Sequence, residues 1–350
     1  MDLAGINPSV RVGRNVHISA EHVQLGDDVR IGDDVRIECR RLVLRHGARL
    51  EARCVVGGMR GPADFIDIGE QSLIAHDCKL LCPAAVLGDY VAIHNHTLMN
   101  GRGPLRIGHN CWIGQHCILN SEASLSIGNS VCVGTNTNLY SHGYFGDLLE
   151  GCQVFKVVPV TIEDDAWIMG SYTSVAPGVR VGEKALVLAG SCVTKDVPPN
   201  HCFGGTPARD MTDRLVPYRH VTPDEKLARI GEFLAEYVQT VFPAAFETEP
   251  NGYVVRAPFG PFRLRWQPDV DSAACLASDI PLLVFTRRNE AEAPPDLVTV
   301  FDLTRRQYTR CRTPAEISTI SFLKSYRARF VPADRPRVEL PPEYRKLGKP

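Results

Sequence analysis

The chain reads as a mainly β protein, a parallel β-helix followed by a smaller α+β domain, and three observations predict this. The first is a six-residue pulse, in which an aliphatic residue, often followed by Gly or another small residue, returns six positions on. It runs Ile68-Gly69, Ile74, Leu80; Leu87-Gly88, Ile93, Met99; Ile107-Gly108, Ile113-Gly114, Leu119; Ile127-Gly128, Val133-Gly134, Leu139; then Ile162, Ile168, Val175, Val181-Gly182. A period of six suits neither the stripe of a helix nor the alternation of a lone strand. Sustained over many repeats, it means one short strand and one turn per hexapeptide, three to a triangular coil, with the aliphatics stacked inside. The second observation is that the rhythm stops near Thr194-Lys195-Asp196-Val197-Pro198-Pro199-Asn200. The third is that helix and strand patterns of ordinary length replace it after Met211. A prism filled with its own side chains has no room for a ligand, so function is expected on its outside, at a loop or between subunits.

Taken in order, a first block of coils contains Leu25-Gly26, Ile31-Gly32 and Ile37, and ends at an irregular stretch, Gly57-Gly58-Met59-Arg60-Gly61-Pro62. The next coils start at 68, 87, 107 and 127, steps of 19 or 20 where three hexapeptides make 18, so each carries one or two extra corner residues. From Ile127 to Ile162 the step is 35, one coil plus a loop of about seventeen residues. That loop, at about 140–158, contains Ser141-His142-Gly143-Tyr144-Phe145; an excursion of this length from a regular solenoid is commonly functional or disordered, and the loop's three aromatics, Tyr140, Tyr144 and Phe145, argue for packing. The β-helix domain is expected over residues 1–210. Thr222-Pro223-Asp224-Glu225 is a capping box with Pro at the first helical position, opening a helix to about Val241. Strands are expected at Tyr253–Ala257, Phe262–Trp266, Pro281–Thr286, Val298–Leu303 and Gln307–Arg310, the last two as a hairpin, then a helix over about 314–329 and a Pro-rich tail. These make an α+β accessory domain over 220–350. Its Arg and aromatic residues, among them Phe262, Arg265, Trp266 and Tyr308, suit stacking on sugar rings.

Composition narrows the function classes. The 350 residues carry a formal net charge of −1, which gives no electrostatic case for nucleic acid or an anionic membrane surface. No apolar run approaches the ~20 residues of a membrane span, the start, MDLAGINPSVRVGRN, has neither a basic nor an apolar leader region and leaves little room for a targeting peptide, and the scattered cysteines fit reduced thiols, so a cytoplasmic location is expected. Of the twelve cysteines, Cys78, Cys111 and Cys117 each stand four residues after an aliphatic repeat position, a slot that Val131 fills elsewhere, so they read as small core residues. No CxxC pair occurs, and no metal site is expected. His94, His96, His109 and His116 lie on or near outward repeat positions and read as solvated surface residues.

Ser141-His142-Gly143, then Pro159 through Ala166-Trp167-Ile168, Ala176-Pro177-Gly178-Val179, Ala189-Gly190-Ser191-Cys192-Val193-Thr194-Lys195-Asp196-Val197-Pro198-Pro199 and Gly205-Thr206-Pro207-Ala208-Arg209 together resemble the hexapeptide-repeat (left-handed β-helix) acyltransferases, and among them the sugar and polysaccharide O-acetyltransferases. The resemblance covers about residues 85–210. It implies a homotrimer with acetyl-CoA in the groove between adjacent prisms, a carbohydrate or nucleotide-sugar acceptor, and His142 as the general base for its hydroxyl. It places Trp167, Gly170, Ser171, Ala189, Gly190, Thr194, Lys195 and Arg209 along the acetyl-CoA site, with the backbone near Gly170-Ser171 holding the oxyanion, and His116, Asn120 and Glu122 near the acceptor. One departure stands out: Ile168 to Val175 is seven residues rather than six, an extra residue beside the acetyl site. Acetylation of an amino sugar, or a non-catalytic trimeric scaffold, remain the alternatives at this point.

Overall fold

The structure is a computed structural model that describes residues 7–144, 146–270, 278–289, 295–325 and 327–345. Phe145, counted above among the loop aromatics, lies outside these. The chain forms two compact units, Met1–Tyr218 with Arg337–Pro350, and Arg219–Pro336.

The first unit is the parallel β-helix. One sheet of eleven short strands forms its first face, which includes Trp112–Ile113, Cys132–Val133 and Trp167–Ile168. A fifteen-stranded sheet forms the other two faces, because the nine-residue strand Arg36–Leu44 bends across both and joins them. In chain order, the second face includes Leu98–Asn100, Ile118–Asn120 and Asn138–Leu139, and the third includes Leu105–Ile107, Leu125–Ile127 and Val160–Ile162. Each coil pairs in parallel with the next, so the repeat aliphatics stack in columns: Ile74, Ile93, Ile113, Val133, Ile168 and Val187 on the first face are all essentially fully buried. Each such side chain contributes about 1.5–3 kcal/mol, and a continuous column explains why the repeat tolerates little besides aliphatics. Cys78, Cys111 and Cys117 are buried in this core, where burial pushes Cys78 and Cys117 up to about 11.

The coil lengths have a simple cause. Between inner residues the chain takes six positions from Ile113 to Leu119 and six from Ile127 to Val133, but eight from Leu119 to Ile127. The coils from Leu44 to Ile127 repeat this bias, with every surplus residue at the corner between the second and third faces. The corner between the first and second faces is built differently. A single residue in the left-handed region turns the chain there, His96, His116 and Asn136 in successive coils, at φ of 60°, 56° and 56°. In the next coil the extra residue between Ile168 and Val175 appears as two consecutive left-handed residues, Ser171 and Tyr172, at φ of 68° and 64°.

In this unit two sequence expectations change. His109 is fully buried rather than solvated: it follows Gly108 at the corner between the third and first faces, where the Asp89 N–H donates to its Nδ1 at 2.9 Å. The tail also departs from the accessory domain. Val338 and Leu340 are buried with Val43, Phe65, Ala84 and Val86 on the outside of the third face, Tyr344 stacks on Phe65 at 5.3 Å, and Arg106 donates to the Val338 carbonyl. These outward positions are apolar where a solvated face would be polar, and the tail covers them.

The second unit opens with helix α1, Pro223–Val241, with the expected capping box between Thr222 and Glu225. Among the described residues its sheet has seven strands, in the order Phe246–Glu249, Gly252–Ala257, Gly260–Val270, Leu282–Asn289, Val298–Asp302, Gln307–Tyr308 and Val331–Pro332. The hairpin of Val298–Asp302 with Gln307–Tyr308 is as expected. Helix α2, Pro314–Leu323, ends some residues before the expected 329. Phe262 and Tyr308 are buried, so they are core residues and not a sugar platform.

Candidate active site

The loop after the second face is a small antiparallel hairpin, His142–Tyr144 paired with Phe155–Val157. Its alternation puts His142 and Tyr144 on one side, with rings 4.9 Å apart, and buries Gly143 on the other. Phe155 packs on Tyr144 at 4.8 Å, and the Val158 N–H closes the base of the hairpin onto the Ser141 carbonyl at 3.0 Å.

The coil beneath supplies the partners. The pairs Leu98↔Ile118 and Ile118↔Asn138 are each 20 residues apart, so the same step stacks Arg102, Glu122 and His142 at one corner, with Asn100 and Asn120 beside them. Gly101 permits this close stacking, since a Cβ there would lie 2.3 Å from the Ser121 carbonyl carbon.

His142 Nδ1 lies 2.8 Å from Asn120 Oδ1. The orientation of that amide is settled by two backbone groups: Asn120 Nδ2 donates to the Asn100 carbonyl at 3.2 Å, and the Glu122 N–H donates to Asn120 Oδ1 at 3.2 Å. Ser141 Oγ donates to the same oxygen at 3.1 Å while accepting from the Ala123 N–H. A carbonyl oxygen can only accept, so Nδ1 carries the imidazole proton and Nε2 carries the lone pair. Asn120 and Ser141 are buried and the histidine is half-buried. The network therefore presents one oriented basic nitrogen at the surface. Arg102 is paired with Glu122, and its Nη2 also donates to the Tyr144 hydroxyl at 3.1 Å.

The residues expected along acetyl-CoA fall into separate sets. Trp167, Gly170 and Ser171 lie on the first face and its corner with the second, and Ala189 and Gly190 occupy that corner one coil on. Gly170 is required there because a Cβ would meet the Thr135 N at 2.7 Å. The Ser171 N–H already donates to the Thr135 carbonyl at 2.8 Å. Thr194 and Lys195 are exposed just beyond Cys192–Val193, on the His142 edge of the second face. Arg209 is exposed in a short strand antiparallel to Cys202–Gly204. Of the acceptor candidates, Asn120 and Glu122 join His142, whereas His116 turns the corner at the opposite edge of the same face. Sequence reasoning passed over Arg102 and Tyr144. The signal for Arg102 was present, since two backward steps of 20 from His142 reach it. Among the described residues no three His, Cys, Asp or Glu side chains gather as a metal site.

The hexapeptide repeat of succinyl-transferase matches residues 104–141 and 159–195, leaving out the hairpin between them. Over these repeats the chain resembles the hexapeptide-repeat acyltransferases. It is 44% identical over 59 residues to the galactoside O-acetyltransferase of Escherichia coli (strain K12), covering 16% of this chain and 29% of that one. It is 49% identical over 51 residues to the 2,3,4,5-tetrahydropyridine-2,6-dicarboxylate N-acetyltransferase of Staphylococcus aureus (strain JH9), 15% of this chain and 21% of that one. A hexapeptide-repeat acetyltransferase of Vibrio cholerae O1 biovar eltor, solved with acetyl coenzyme A, aligns at 27% identity and a TM-score of 0.28 over 42% of this chain and 69% of that one. The chain thus spans less than a third of the length of the two curated relatives. No helix among the described residues is long and apolar enough to cross a membrane.

Proposed function

We propose that this chain transfers an acetyl group from acetyl-CoA to a hydroxyl of a sugar or polysaccharide precursor, with His142 as the general base. The observation that carries the reading is the Asn120–His142 pair, which holds Nδ1 protonated and leaves Nε2 as the acceptor of a proton. In the proposed step the acceptor oxygen attacks the thioester carbonyl as its proton passes to Nε2. The tetrahedral intermediate then expels the thiolate, which takes that proton back from the imidazolium. The oxyanion is held by a backbone amide at the first–second corner. Because the Ser171 amide is engaged with Thr135, the Gly170 and Tyr172 amides are the donors we assign.

His142 and the Gly170–Tyr172 turn stand at opposite edges of the second face, with the strand pair Asn138–Leu139 and Ser174–Val175 between them. A site using both needs the turn of a neighbouring copy, which supports a homotrimer with the acetyl-CoA groove between prisms. The test is thiol release from acetyl-CoA with a panel of sugars, by the native chain and by His142→Ala. Transfer that depends on His142 and goes to hydroxyl acceptors is the expected result. Transfer only to amino sugars assigns N-acetylation instead, and no acetyl-CoA binding leaves a scaffold. Light scattering that gives a monomer with full activity overturns the intersubunit site.

A further inference from the structure

We propose that the corner between the second and third faces is an extended acceptor groove for an anionic glycan chain, whose negative groups meet Arg40, Arg60 and Arg102 along the way to His142. The proposal rests on the transferase reading of His142 and adds the class of acceptor.

The backbone register places these residues in one line. The pairs Arg36↔Val55, Val55↔Lys79, Lys79↔Leu98, Leu98↔Ile118 and Ile118↔Asn138 step up the second face one coil at a time. Four residues beyond each partner lies the same corner, which therefore carries Arg40, Met59, Pro83, Arg102, Glu122 and His142 in succession. Adjacent strands lie ~4.8 Å apart, so the five steps from Arg40 to His142 span roughly 24 Å.

The lower part of this line is a cleft of about 350 Å³, with Arg40, Arg60, Asp64 and Arg102 on its walls. Its flank is the short turn closed by the Gly58 N–H on the Gly61 carbonyl at 2.8 Å. The tip of that turn leans on the site's own support: Met59 Sδ accepts from Asn100 Nδ2 at 3.8 Å, and the Asn100 carbonyl holds Asn120. At the upper end Arg102 reaches the Tyr144 hydroxyl, and Tyr144 lies against His142. Cleft and base are thus joined through named contacts.

Charge selects the occupant. Arg60 is exposed and has no ion-pair partner among the described residues. Arg40 approaches Asp64 at 3.6 Å and Glu21 at 3.9 Å with most of its side chain in solvent, pairs that an incoming carboxylate can displace at little cost. Guanidinium groups receive carboxylate or phosphate through paired hydrogen bonds. The three arginines stand on different coils rather than around one point, whereas a diphosphate would concentrate its charge at one end. The spacing therefore fits a chain bearing negative groups at intervals, such as a polyuronate.

The test measures acetyl transfer and, separately, calorimetric binding without acetyl-CoA, for an oligouronate length series, its neutral methyl esters and a nucleotide sugar. The native chain is compared with the Arg40→Gln, Arg60→Gln double variant, both changes lying at exposed positions. Expected are tighter binding as the oligouronate lengthens, weakening with added salt, and a rise in KM of roughly tenfold or more in the double variant with a smaller change in kcat. Equal use of charged and neutral acceptors, unchanged in the double variant, overturns the groove and leaves the transferase reading standing. Arginine-dependent binding of oligouronate with no acetyl transfer supports the groove and overturns the transferase reading. A preference for the nucleotide sugar, with no dependence on chain length, overturns the extended groove.

Discussion

Two corners of the same prism solve the same turning problem in opposite ways. Between the first and second faces the chain turns on one left-handed residue per coil, and the inner residues on either side keep a strict spacing of six from Ile74–Leu80 up to Val133–Leu139. Between the second and third faces the spacing is seven or eight from Leu80–Leu87 to Leu119–Ile127, and elsewhere it grows into the turn at Gly58–Gly61 and the hairpin at His142–Val157. The first corner is specified by backbone geometry, which leaves little freedom to insert. The second is a short wide turn whose length the stacked aliphatics do not control, since those columns need only the strands to remain in register. The proposed site lies where length was free: His142, Asn120, Glu122, Arg102 and the 58–61 turn all belong to the second corner. The one exception is informative. The additional residue at Ser171-Tyr172 breaks the strict corner in the coil expected to hold the oxyanion donor.

The largest expected effect is at the permissive corner. His142→Ala removes the base and lowers acetyl transfer by a factor of about 10² to 10⁴ while the unfolding midpoint stays near that of the native chain. Steady-state transfer together with a denaturation curve checks both halves, and transfer at the native rate would refute the assignment. Next comes Asn120→Ala. It frees the imidazole and leaves three donors without their shared acceptor oxygen, two of them on buried residues, so a loss of about 1–3 kcal/mol is expected beside a tenfold or greater fall in kcat. A variant with unchanged kcat and only the stability loss would make Asn120 purely structural.

Deleting Tyr172 restores the six-residue spacing of the coils below. The β-helix should tolerate it to within about 1 kcal/mol, because one left-handed side chain is removed, while transfer changes by roughly tenfold as the amides of that turn move. Unchanged transfer would mean that the extra residue does not border the acetyl site. The smallest effect belongs to the strict corner itself. His96→Gly relieves a left-handed Cβ but adds chain entropy to the unfolded state, so its stability should change by less than about 1 kcal/mol. A loss above about 2 kcal/mol by denaturant titration would show that side-chain contacts, such as the stacking of His96 on His116 at 4.9 Å, hold the corner instead of its backbone.

The repeat was legible in the sequence because a solenoid makes its core from local contacts: an aliphatic every six residues packs on its own neighbours one coil away, so period alone gives fold, register and inner face. The surplus of one or two residues per coil was visible for the same reason, as were the loop bearing His142 and the additional residue before Val175. The second unit was less so. Its capping box at Thr222 and the hairpin from Val298 are local signals and were readable, while the strand Phe246–Glu249 and the end of α2 depend on what packs against them.

By itself, then, the sequence determined the β-helix and the order of its coils, and it singled out the loop that carries His142, the base we propose. Tertiary structure decided what distance along the chain hides. It took the coil-to-coil register to bring Arg102, Glu122 and His142 into one column. Two backbone groups, the Asn100 carbonyl and the Glu122 N–H, were needed to set the Asn120 amide and hence the tautomer of His142. The tail from Val338 to Tyr344 joined the β-helix because the outward residues of the third face, Phe65 and Val86 among them, are apolar and need cover. No periodicity reports such a contact, since its partners lie more than two hundred residues apart and each is unremarkable in its own segment.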